Sequence, residues 1–253
     1  MSSSPIGLVS ALPQELDSVL ALMPDETAVD VAGRRFWRGH LGGREVVAVL
    51  SGIGKVAAAT TGTLLAERFH VSGMVFTGVA GGLGDGVTVG DAVVASACLQ
   101  HDMDASPLVP RHEIPGYGRD RFETGAVLSQ ALLVAARAEL TAPETFLNAD
   151  DRRAFKLDRP RAHHGLVISG DRFVATAAES TALRERLPDA LAVDMESAAL
   201  AQVCHDFGLP LAVLRTVSDR ADDSAHVDFP RFLDAVARHY SARIVARALA
   251  GLT

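Results

Sequence analysis

Carboxylate side chains follow several apolar segments of this sequence, and their positions give the first indication of chemistry. Glu15 follows the apolar segment Ile6–Leu12, Asp171 follows Gly165–Ser169, and Asp219 follows Pro210–Val217. Asp194 lies near the end of a fourth segment, Leu191–Met195, and Glu196 comes directly after it. Carboxylates that converge in a cleft repel one another and raise each other's pKa values. Such a cluster can supply a protonated acid beside an ionised base at neutral pH.

The same carboxylates have an alternative role as helix N-caps, in which a side-chain oxygen accepts a backbone N–H of the helix. Asp171 and Asp219 fit this role as well as a chemical one. Glu196 fits it less well, because it comes immediately after a buried strand where the next helix opens.

Three other patterns could carry chemistry; we interpret the first two as structural, and the third has two interpretations. Gly52–Ala57 fits the G-x-G-x-x-A dinucleotide fingerprint, but the strand before it looks like the second arm of a hairpin and no acid lies in Val71–Phe76. His101–Asp104 and His163-His164 lack a recognised zinc or iron spacing. The segment 78–84 is glycine-rich, which suits either a turn or a close approach of backbone to ligand. We therefore predict no metal and no cofactor.

The elements that must position the carboxylates alternate between strands and helices. Apolar runs predict strands at Ile6–Leu12, Met74–Thr77, Asp91–Leu99, Gly165–Ser169, Leu191–Met195 and Pro210–Val217, and Gly42-Gly43 predicts a hairpin of Arg35–His40 with Arg44–Leu50. Helices are predicted from Pro13 and at Lys55–Phe69, Ser129–Leu140, Glu196–Phe207 and Phe229–Leu249, and exposed loops at His101–Glu123 and Asn148–Arg161. This order indicates an α/β fold with a central, mostly parallel mixed sheet flanked by helices. Ligands of such folds bind at the carboxyl ends of the strands.

The composition limits the class of protein. Of 253 residues, 48% are apolar, enough for a sizeable core, and we expect one domain over residues 1–253. A net charge of −7 argues against nucleic-acid binding, which needs a basic surface. The two cysteines, Cys98 and Cys204, lie in apolar runs and suit a reducing compartment. The N-terminus has neither a basic region nor a long apolar stretch, so we expect a cytoplasmic protein that does not bind membranes.

Taken together, the strand-end motifs resemble the purine nucleoside phosphorylase superfamily, and most of all its bacterial methylthioadenosine/S-adenosylhomocysteine nucleosidases. The similar segments run nearly from end to end: Ile6–Glu15 (IGLVSALPQE), Ser51–Ala58 (SGIGKVAA), Thr77–Asp91 (TGVAGGLGDGVTVGD), Ile168–Phe173 (ISGDRF), Ala192–His205 (AVDMESAALAQVCH) and Leu214–Phe229. Each segment is short, but the set in this order is specific. The resemblance implies a nucleosidase that acts on a nucleoside and water, and it implies a homodimer.

The resemblance also implies roles for single residues. Glu15 corresponds to the carboxylate that activates water, and Asp219 to the acid that protonates N7 of the departing adenine. The substrate-binding positions are Glu196 and Met195 at the ribose, Phe173 and Val174 at the base, Ile53 and Phe229 at the 5′ substituent, Arg215 and Ser218 as supporting groups, and Ala80, Gly81 and Asp194 beside them.

A hydrolase is favoured over a phosphorylase by the segment after the first strand. The phosphorylases of this superfamily carry an arginine-bearing Gly-Asp-Pro segment there, which holds phosphate. Here the segment is Ala11–Glu15, which has a carboxylate and no arginine. A carboxylate at this position would repel phosphate.

Two departures bear on the substrate. Val79 replaces the serine usual in the bacterial nucleosidases, and Asp194 replaces the first glutamate of their E-M-E triplet. The loop 101–118, which in the family reaches the partner's 5′ pocket, keeps His101-Asp102 and then diverges. We therefore rank methylthioadenosine or S-adenosylhomocysteine first and another purine nucleoside, such as a futalosine-type menaquinone intermediate, second. A phosphorylase or a non-catalytic nucleotide-binding module is a remote third.

Overall fold

The computed structural model describes residues 4–221 and 225–252. Within this part of the chain the strands are β1 (Ile6–Ser10), β2 (Thr27–Val31), β3 (Arg34–Leu41), β4 (Arg44–Leu50), β5 (Gly73–Gly82), β6 (Ala92–Gln100), β7 (Arg121–Glu123), β8 (Ala162–Ser169), β9 (Ala190–Asp194) and β10 (Leu211–Asp219). The helices are α1 (Pro13–Leu20), α2 (Lys55–Phe69), α3 (Ala126–Glu139), α4 (Ala149–Ala154), α5 (Ala177–Arg186), α6 (Ser197–Asp206), α7 (Ala225–Phe232) and α8 (Arg238–Ala250). A 3₁₀ turn lies at Pro143–Thr145 and a π-helical segment at Leu233–Ala237.

All ten strands belong to one mixed sheet, part of which closes on itself. The order along the sheet is β10-β6-β8-β9-β5-β1-β4-β3-β2, with β7 on β6, and β10 also pairs with β5. Strands β5, β10, β6, β8 and β9 therefore form a closed ring, and β1, β4, β3 and β2 extend from it. The central pairings β1–β4, β1–β5, β5–β10, β6–β8 and β8–β9 are parallel.

Helices cover both faces of the sheet and bury separate cores. Helices α1, α3 and α8 pack on one face around residues such as Leu8 and Val75. Helices α2 and α6 pack on the other face around Val9 and Phe76. Neighbouring residues of one strand thus point into different cores, as expected for a strand that is buried on both faces.

The predicted fold class, an α/β fold with a mixed sheet flanked by helices, is confirmed. The helix at Lys55–Phe69 and the hairpin strand Arg44–Leu50 have the predicted bounds, and helix α1 begins at Pro13 as predicted. The prediction missed β2 and α5. The side chains of β2 are mostly exposed and only two residues of α5 are buried, so neither has an apolar pattern.

Several predicted boundaries and loops were wrong, among them the start of β8, which lies at Ala162 rather than Gly165. Strand β7 and helix α4 lie inside segments that were predicted to be loops, and helix α3 begins three residues earlier than expected. In place of the single predicted helix Phe229–Leu249, the chain forms α7, the π-helical segment and α8 in succession, beginning at Ala225. Residues 222–224, inside the family-like segment Leu214–Phe229, and the N-terminal residues 1–3 lie outside the described residues.

The glycine-rich segment was predicted to follow a strand, whereas its first residues continue that strand. Gly78 to Gly81 pair with β10, and Gly81 and Gly82 pair with β9. A Cβ at Gly82 would lie 2.9 Å from Val217 Cγ1. Glycine is needed because the strand is closely approached from its side.

The carboxyl ends of several strands meet at one place. Strands β5 and β9 are antiparallel and pair only through Gly81–Gly82 and Ala192–Val193, which are near the carboxyl end of each. Strand β10 is parallel to β5 and ends beside Gly81, and β1 is parallel to β5 on its other side. The convergence predicted for the strand-end carboxylates follows from this crossing. No helix in the described part of the chain is long and apolar enough to cross a membrane.

Candidate active site

A pocket of about 760 Å³ lies where these strand ends meet. This volume includes the open mouth of the pocket, so the lining residues rather than the volume indicate the kind of ligand. Its lining residues are Ala11, Leu12, Glu15, Ile53, Val79, Ala80, Gly81, Arg172, Phe173, Val174, Val193, Asp194, Met195, Glu196, Arg215, Ser218, Asp219 and Phe229. The structure brings all thirteen predicted site residues into this one pocket. Ala11, Leu12, Arg172 and Val193 were not predicted.

Glu15 is fully buried at the start of α1. Pro13 opens this helix directly after β1, and the Leu12 N–H donates to Glu15 Oε2 at 3.3 Å. Glu15 Oε1 has no hydrogen-bond partner among the described residues. Burial raises the pKa of Glu15 to about 7; the Arg215 guanidinium opposes the rise and Glu196 adds to it. A carboxylate with a pKa near the working pH can accept a proton from water.

Gly78 leaves room for Glu15 beside Arg215. A Cβ at residue 78 would collide with the Arg215 guanidinium and would lie 3.2 Å from Glu15 Oε1. The glycine-rich strand therefore brings a carboxylate and a guanidinium together, and a side chain at residue 78 would separate them.

Asp194 is a buried acceptor of five hydrogen bonds from the protein. Its Oδ1 accepts from the Ser169 hydroxyl. The same oxygen accepts from the Glu196 N–H and the Ser197 N–H, both at 3.2 Å. Its Oδ2 accepts from Arg215 Nε at 2.6 Å and from the Ser197 hydroxyl. The carboxylate lines the pocket, but its acceptor sites are occupied. It holds Arg215 and the turn before Glu196 in place.

Arg215 is the buried cation of the site, with 1% of its surface exposed. Its guanidinium carbon lies 3.7 Å from the centre of the Phe76 ring, and its Nη2 donates to the Ser197 hydroxyl at 3.1 Å. Nη2 is also 3.9 Å from Glu196 Oε2. One guanidinium thus offsets the charges of Glu15, Asp194 and Glu196. Three carboxylates around one cation leave an excess of negative charge when all three are ionised, which raises their pKa values.

Glu196 occupies the N-cap position of α6, but its side chain makes no capping bond to that helix. Instead, its Oε1 accepts the Gly54 N–H at 2.9 Å, at the start of α2. Burial raises the pKa of Glu196 to about 7 and Asp194 adds to the rise, whereas Arg215 and the Gly54 N–H oppose it. The capping alternative is therefore wrong for α6, and Glu196 binds the end of a different helix.

Asp219 lies on the β10 side of the pocket, after an irregularity in the strand between Val217 and Asp219. The Ser218 hydroxyl donates to Asp219 Oδ2 at 2.7 Å, and the Ala221 N–H donates to Oδ1 at 2.7 Å. A bulge changes the direction in which a strand presents its side chains. These contacts hold the carboxyl in one orientation toward the pocket, and Ser218 thus contacts the site as a supporting group.

Comparison with known proteins identifies the family. Residues 5–250 match the Phosphorylase superfamily. The chain belongs to this superfamily. A 5′-methylthioadenosine/S-adenosylhomocysteine nucleosidase of Shewanella piezotolerans is 34% identical over 241 residues, which are 95% of this chain and 97% of the relative. The family predicted from the motifs, that of these nucleosidases within the superfamily, is thereby confirmed.

Two solved structures of the superfamily are similar over nearly the whole chain. The nucleosidase of the same name from Neisseria meningitidis, in complex with methylthio-immucillin-A, has a TM-score of 0.86 and 32% identity, and the match covers 98% of this chain and 100% of that one. The futalosine hydrolase of Helicobacter pylori has a TM-score of 0.82 and 30% identity, and the match covers 98% of both chains.

Aromatic and aliphatic residues form the remaining wall of this superfamily pocket. The rings of Phe173 and Phe229 meet edge to face, with centroids 6.1 Å apart. Phe173 is 45% exposed and Ile53 is 60% exposed, so both lie at the rim, whereas Val174 is buried. The wall offers an apolar surface to a flat ring or an aliphatic group.

The structure does not fit a dinucleotide-binding role for Gly52–Ala57. Strand β4, which precedes Gly52–Ala57, is the second arm of a hairpin as predicted. Two N–H groups at the start of α2 are already bonded to carboxylates: Gly54 donates to Glu196, and Lys55 donates to Asp171 at 2.7 Å. A phosphate at this helix end would have to displace both. Asp171 is thus a capping residue, although of a distant helix rather than the next one.

The histidines and cysteines considered from the sequence lie outside the pocket. His163 Nε2 lies 2.8 Å from Asp91 Oδ2, and the described residues contain no group of three or more His, Cys, Asp or Glu placed to hold a metal ion. Both cysteines are buried, and burial raises the pKa of Cys204 to about 12. A thiol with so high a pKa is a poor nucleophile.

Two groups beside the pocket were missed from the sequence. The first group is Ser169 and Ser197, whose hydroxyls donate to Asp194. The second is Lys55 and Asp102: the Lys55 ammonium donates to Asp102, which also accepts the Asp171 N–H. Serine at the end of a strand or at the start of a helix is a common N-terminal signal, so Ser197 could have been noticed. The pairing of Lys55 with Asp102 joins segments 47 residues apart, and spacing alone does not reveal it.

Proposed function

We propose that this protein hydrolyses the N-glycosidic bond of an adenine nucleoside, 5′-methylthioadenosine or S-adenosylhomocysteine or both, and releases adenine and a 5-thio-substituted ribose. The names of its relatives support the substrate, and the pocket supports the reaction. Family membership alone would leave hydrolysis and phosphorolysis open, because both occur in this superfamily.

The observation that carries the proposal is the balance of charge in the pocket. Four carboxylates line it, those of Glu15, Asp194, Glu196 and Asp219. Two arginines line it as well, and each is paired: Arg215 with Asp194, and Arg172 with Glu179. A phosphate nucleophile would enter against an excess of negative charge, whereas neutral water would not.

The proposed reaction uses Glu15 and Asp219 on opposite sides of the scissile bond. As the C1′–N9 bond breaks, Asp219 donates a proton to N7 of adenine, so that the base departs neutral. Glu15 accepts a proton from water, whose oxygen forms the new bond to C1′. The Ser218 hydroxyl and the Ala221 N–H are placed to stabilise the Asp219 carboxylate that remains.

The other site residues bind the substrate in this proposal. Glu196 accepts the ribose hydroxyls and favours the cation-like sugar of the transition state, and Met195 packs on the sugar. Phe173 stacks on adenine and the backbone of Val174 contacts its edge, with Ala80 and Gly81 on the opposite strand.

Ile53 and Phe229 hold the 5′ substituent, because their apolar side chains suit a thioether better than a phosphate or a hydroxyl. Asp194 was predicted to bind substrate. Since its carboxylate is already fully bonded, we propose that it orients Arg215 and the Glu196 turn instead.

A panel of nucleosides tests the proposal directly. Purified protein is incubated in phosphate-free buffer with methylthioadenosine, S-adenosylhomocysteine, adenosine and inosine, and the products are separated by chromatography. We expect free adenine from the two thio-substituted substrates, with slower release from adenosine. Activity that appears only when phosphate is added would contradict the proposal.

A futalosine-type nucleoside is the second candidate substrate. The similarity to the Helicobacter pylori futalosine hydrolase supports it, as do two features of this chain. Val79 presents an apolar side chain to the pocket where the related nucleosidases have serine, and the loop 101–118 differs from theirs. Adding a futalosine-type nucleoside to the panel separates the candidates, because the preferred substrate has the larger kcat/KM.

We also propose that the protein is a cytoplasmic homodimer, as its family resemblance implies. Val56, three residues after Ile53 on α2, is 79% exposed, and Leu108 in the loop 101–118 is 88% exposed. Exposed apolar side chains indicate a partner surface only where they form a contiguous patch, so the proposed dimer rests on the family resemblance. Sedimentation velocity at micromolar concentration should give a dimer, and a monomer would contradict this part of the proposal.

A further inference from the structure

A closed ring of hydrogen bonds links three loops beside the pocket. The Lys55 N–H donates to Asp171 Oδ1 at 2.7 Å, and the Asp171 N–H donates to Asp102 Oδ2 at 2.9 Å. The Lys55 ammonium closes the ring by donating to Asp102 Oδ1 at 2.6 Å. The three residues are far apart in sequence and belong to the turns that follow β4, β6 and β8. None of them lines the pocket.

Two walls of the pocket are attached to this ring. Gly54, the residue before Lys55, donates its N–H to Glu196, so the ring sets where that donor lies. Phe173 lies two residues after Asp171 and forms the aromatic rim. A Cβ at Gly54 would lie 3.1 Å from Asp171 Oδ1, which shows how closely the first two loops approach. A shift of the ring would move both walls.

A second chain of bonds leads from the ring to the helix that Glu196 opens. The Lys55 ammonium also donates to Gln100 Oε1 at 3.2 Å, and Gln100 Nε2 donates to Gln202 Oε1 on α6 at 2.8 Å. Lys55 is therefore linked to both partners of the Gly54–Glu196 hydrogen bond. It directly follows Gly54, which donates the bond, and it is connected through Gln100 to α6, the helix that follows Glu196.

The charges of the ring suit positioning more than global stability. The side chains of Lys55 and Asp102 are 17% and 32% exposed. Burial raises the pKa of Asp102, but the Lys55 ammonium and the Asp171 N–H outweigh it and hold that pKa below its ordinary value. Asp102 is thus a carboxylate at neutral pH. Partly exposed ion pairs add little to stability, although a pair within a fixed network can still set geometry.

We propose that the ring of Lys55, Asp102 and Asp171 positions the Glu196 carboxylate and the Phe173 loop for the reaction, so that Lys55 and Asp102 are positioning residues of the active site. The kinetic part of this inference rests on the proposed function. Lys55 does not contact substrate; it acts through Gly54 and through Asp171.

The kinetic test compares Lys55→Met, Asp102→Asn and the double variant with Lys156→Met. Lys156 is the other lysine of the sequence, is exposed and lies outside the pocket, so its variant controls for loss of a lysine charge. We expect kcat/KM to fall by roughly tenfold to a hundredfold in either ring variant, as for a displaced catalytic group. The double variant should lose no more kcat/KM than the more impaired single variant, because either single substitution already breaks the same ring. Additive losses, or kcat/KM within twofold of wild type in both single variants, would overturn the proposal.

The pH profile separates positioning from a purely structural role. Glu196 is faced by Asp194, Arg215, Glu15 and the Gly54 N–H, and only the last depends directly on the ring. Without that donor the carboxylate form of Glu196 is less favoured, so the acidic limb of kcat/KM should move to higher pH in Lys55→Met and stay in place in Lys156→Met. A uniform loss at every pH would contradict the positioning role.

A measurement without substrate keeps the proposal testable if the proposed function fails or if Lys55→Met does not fold. In wild type, an amine-reactive reagent should label Lys156 faster than Lys55, and Asp102→Asn should raise the labelling rate of Lys55 alone. The same variant should speed amide exchange in both 52–55 and 171–174. Unchanged exchange in 171–174 would reject the ring, whatever nucleoside the protein cleaves.

Discussion

At the scale of single residues, the site depends on an excess of carboxylates around one guanidinium. Arg215 is bonded to Asp194 and close to Glu196, and it lowers the pKa values of Glu15 and Glu196 without offsetting their burial. The environments of these acids therefore differ: Asp194 is saturated with donors, whereas Glu15 keeps an oxygen that is not bonded within the described residues. From this difference we propose proton transfer for Glu15 and a supporting role for Asp194.

Asp219→Asn should lower kcat by about 10² to 10⁴, because an amide keeps the shape of the side chain but cannot donate the acid proton. The far-ultraviolet circular dichroism and the melting temperature should stay close to wild type, since the Asn oxygen can accept the Ala221 N–H while its NH2 group donates to the Ser218 hydroxyl oxygen. Steady-state adenine release measures the effect. Near-normal turnover in a folded variant would remove Asp219 from the mechanism.

The acidic limb of kcat/KM should report Glu15 together with Glu196, because both carboxylates have a pKa of about 7 and both act ionised in the proposed reaction. The group that accepts a proton from water must be ionised, and its pKa in the free enzyme is about 7, so activity should fall as the pH drops below about 7. Glu196→Gln removes a neighbouring charge that raises the pKa of Glu15, so its acidic limb should lie at lower pH, although total activity decreases. An acidic limb near pH 4.5 in the wild-type protein would argue that Glu15 is not the base.

At the scale of elements, most strands and helices could be predicted from the sequence because they are buried. Helix α2 is rich in Ala and Leu and strand β4 is an apolar run beside the Gly42-Gly43 turn, and the bounds of both were predicted. Strand β2 and helix α5 were not, because they are largely exposed and their side chains carry no pattern. The extension of β5 through its glycines was also missed, since only the neighbouring strands show that the backbone stays extended.

The candidate site was easier to predict than its supports. The pocket residues sit at strand ends within recognisable motifs, so the sequence indicates them. The contacts that hold them, such as Gly54 to Glu196 and Arg215 to Asp194, join segments 142 and 21 residues apart. Nothing in the spacing of the residues specifies these pairs, because they depend on how the strands cross.

Gly54→Ala tests the junction between α2 and the site. Gly54 has a φ of +96°, which side chains rarely adopt, and an added Cβ would press on Asp171 Oδ1. We expect a loss of roughly 1–3 kcal/mol in the free energy of unfolding and a raised KM, because the Gly54 N–H that holds Glu196 moves. Urea unfolding and initial-rate kinetics measure the two effects. Gly43→Ala is the control, since it lies in an open turn with φ of +79° and nothing near its Cβ, and it should leave KM unchanged.

At the scale of the whole molecule, the chemistry of the site destabilises the fold. Glu15 has a pKa of about 7 in the folded protein against an ordinary value of 4.5. The folded state therefore binds more protons than the unfolded state between these values, so stability falls as the pH rises through this window. Above pH 7 the full penalty applies, about 3 kcal/mol at 1.36 kcal/mol per pKa unit.

Glu15→Gln should remove this penalty. We expect its melting temperature to exceed that of the wild-type protein at pH 8 and to approach it at pH 4.5, because a neutral amide has no charge to bury. Calorimetry of both proteins across this range measures the difference, which cancels the contributions of other titrating groups. If the melting temperatures of the two proteins change with pH in the same way, burial of the Glu15 carboxylate does not destabilise the fold. A single transition in both would also support the expected single domain over 1–253.

We propose that Glu15 makes this superfamily member a hydrolase. The most direct test is the mass of the sugar product formed from methylthioadenosine in the presence of excess phosphate. If water is the nucleophile, the product is the free 5-methylthio sugar and its rate of formation does not depend on phosphate. A sugar 1-phosphate, formed at a rate that rises with phosphate concentration, would contradict the claim.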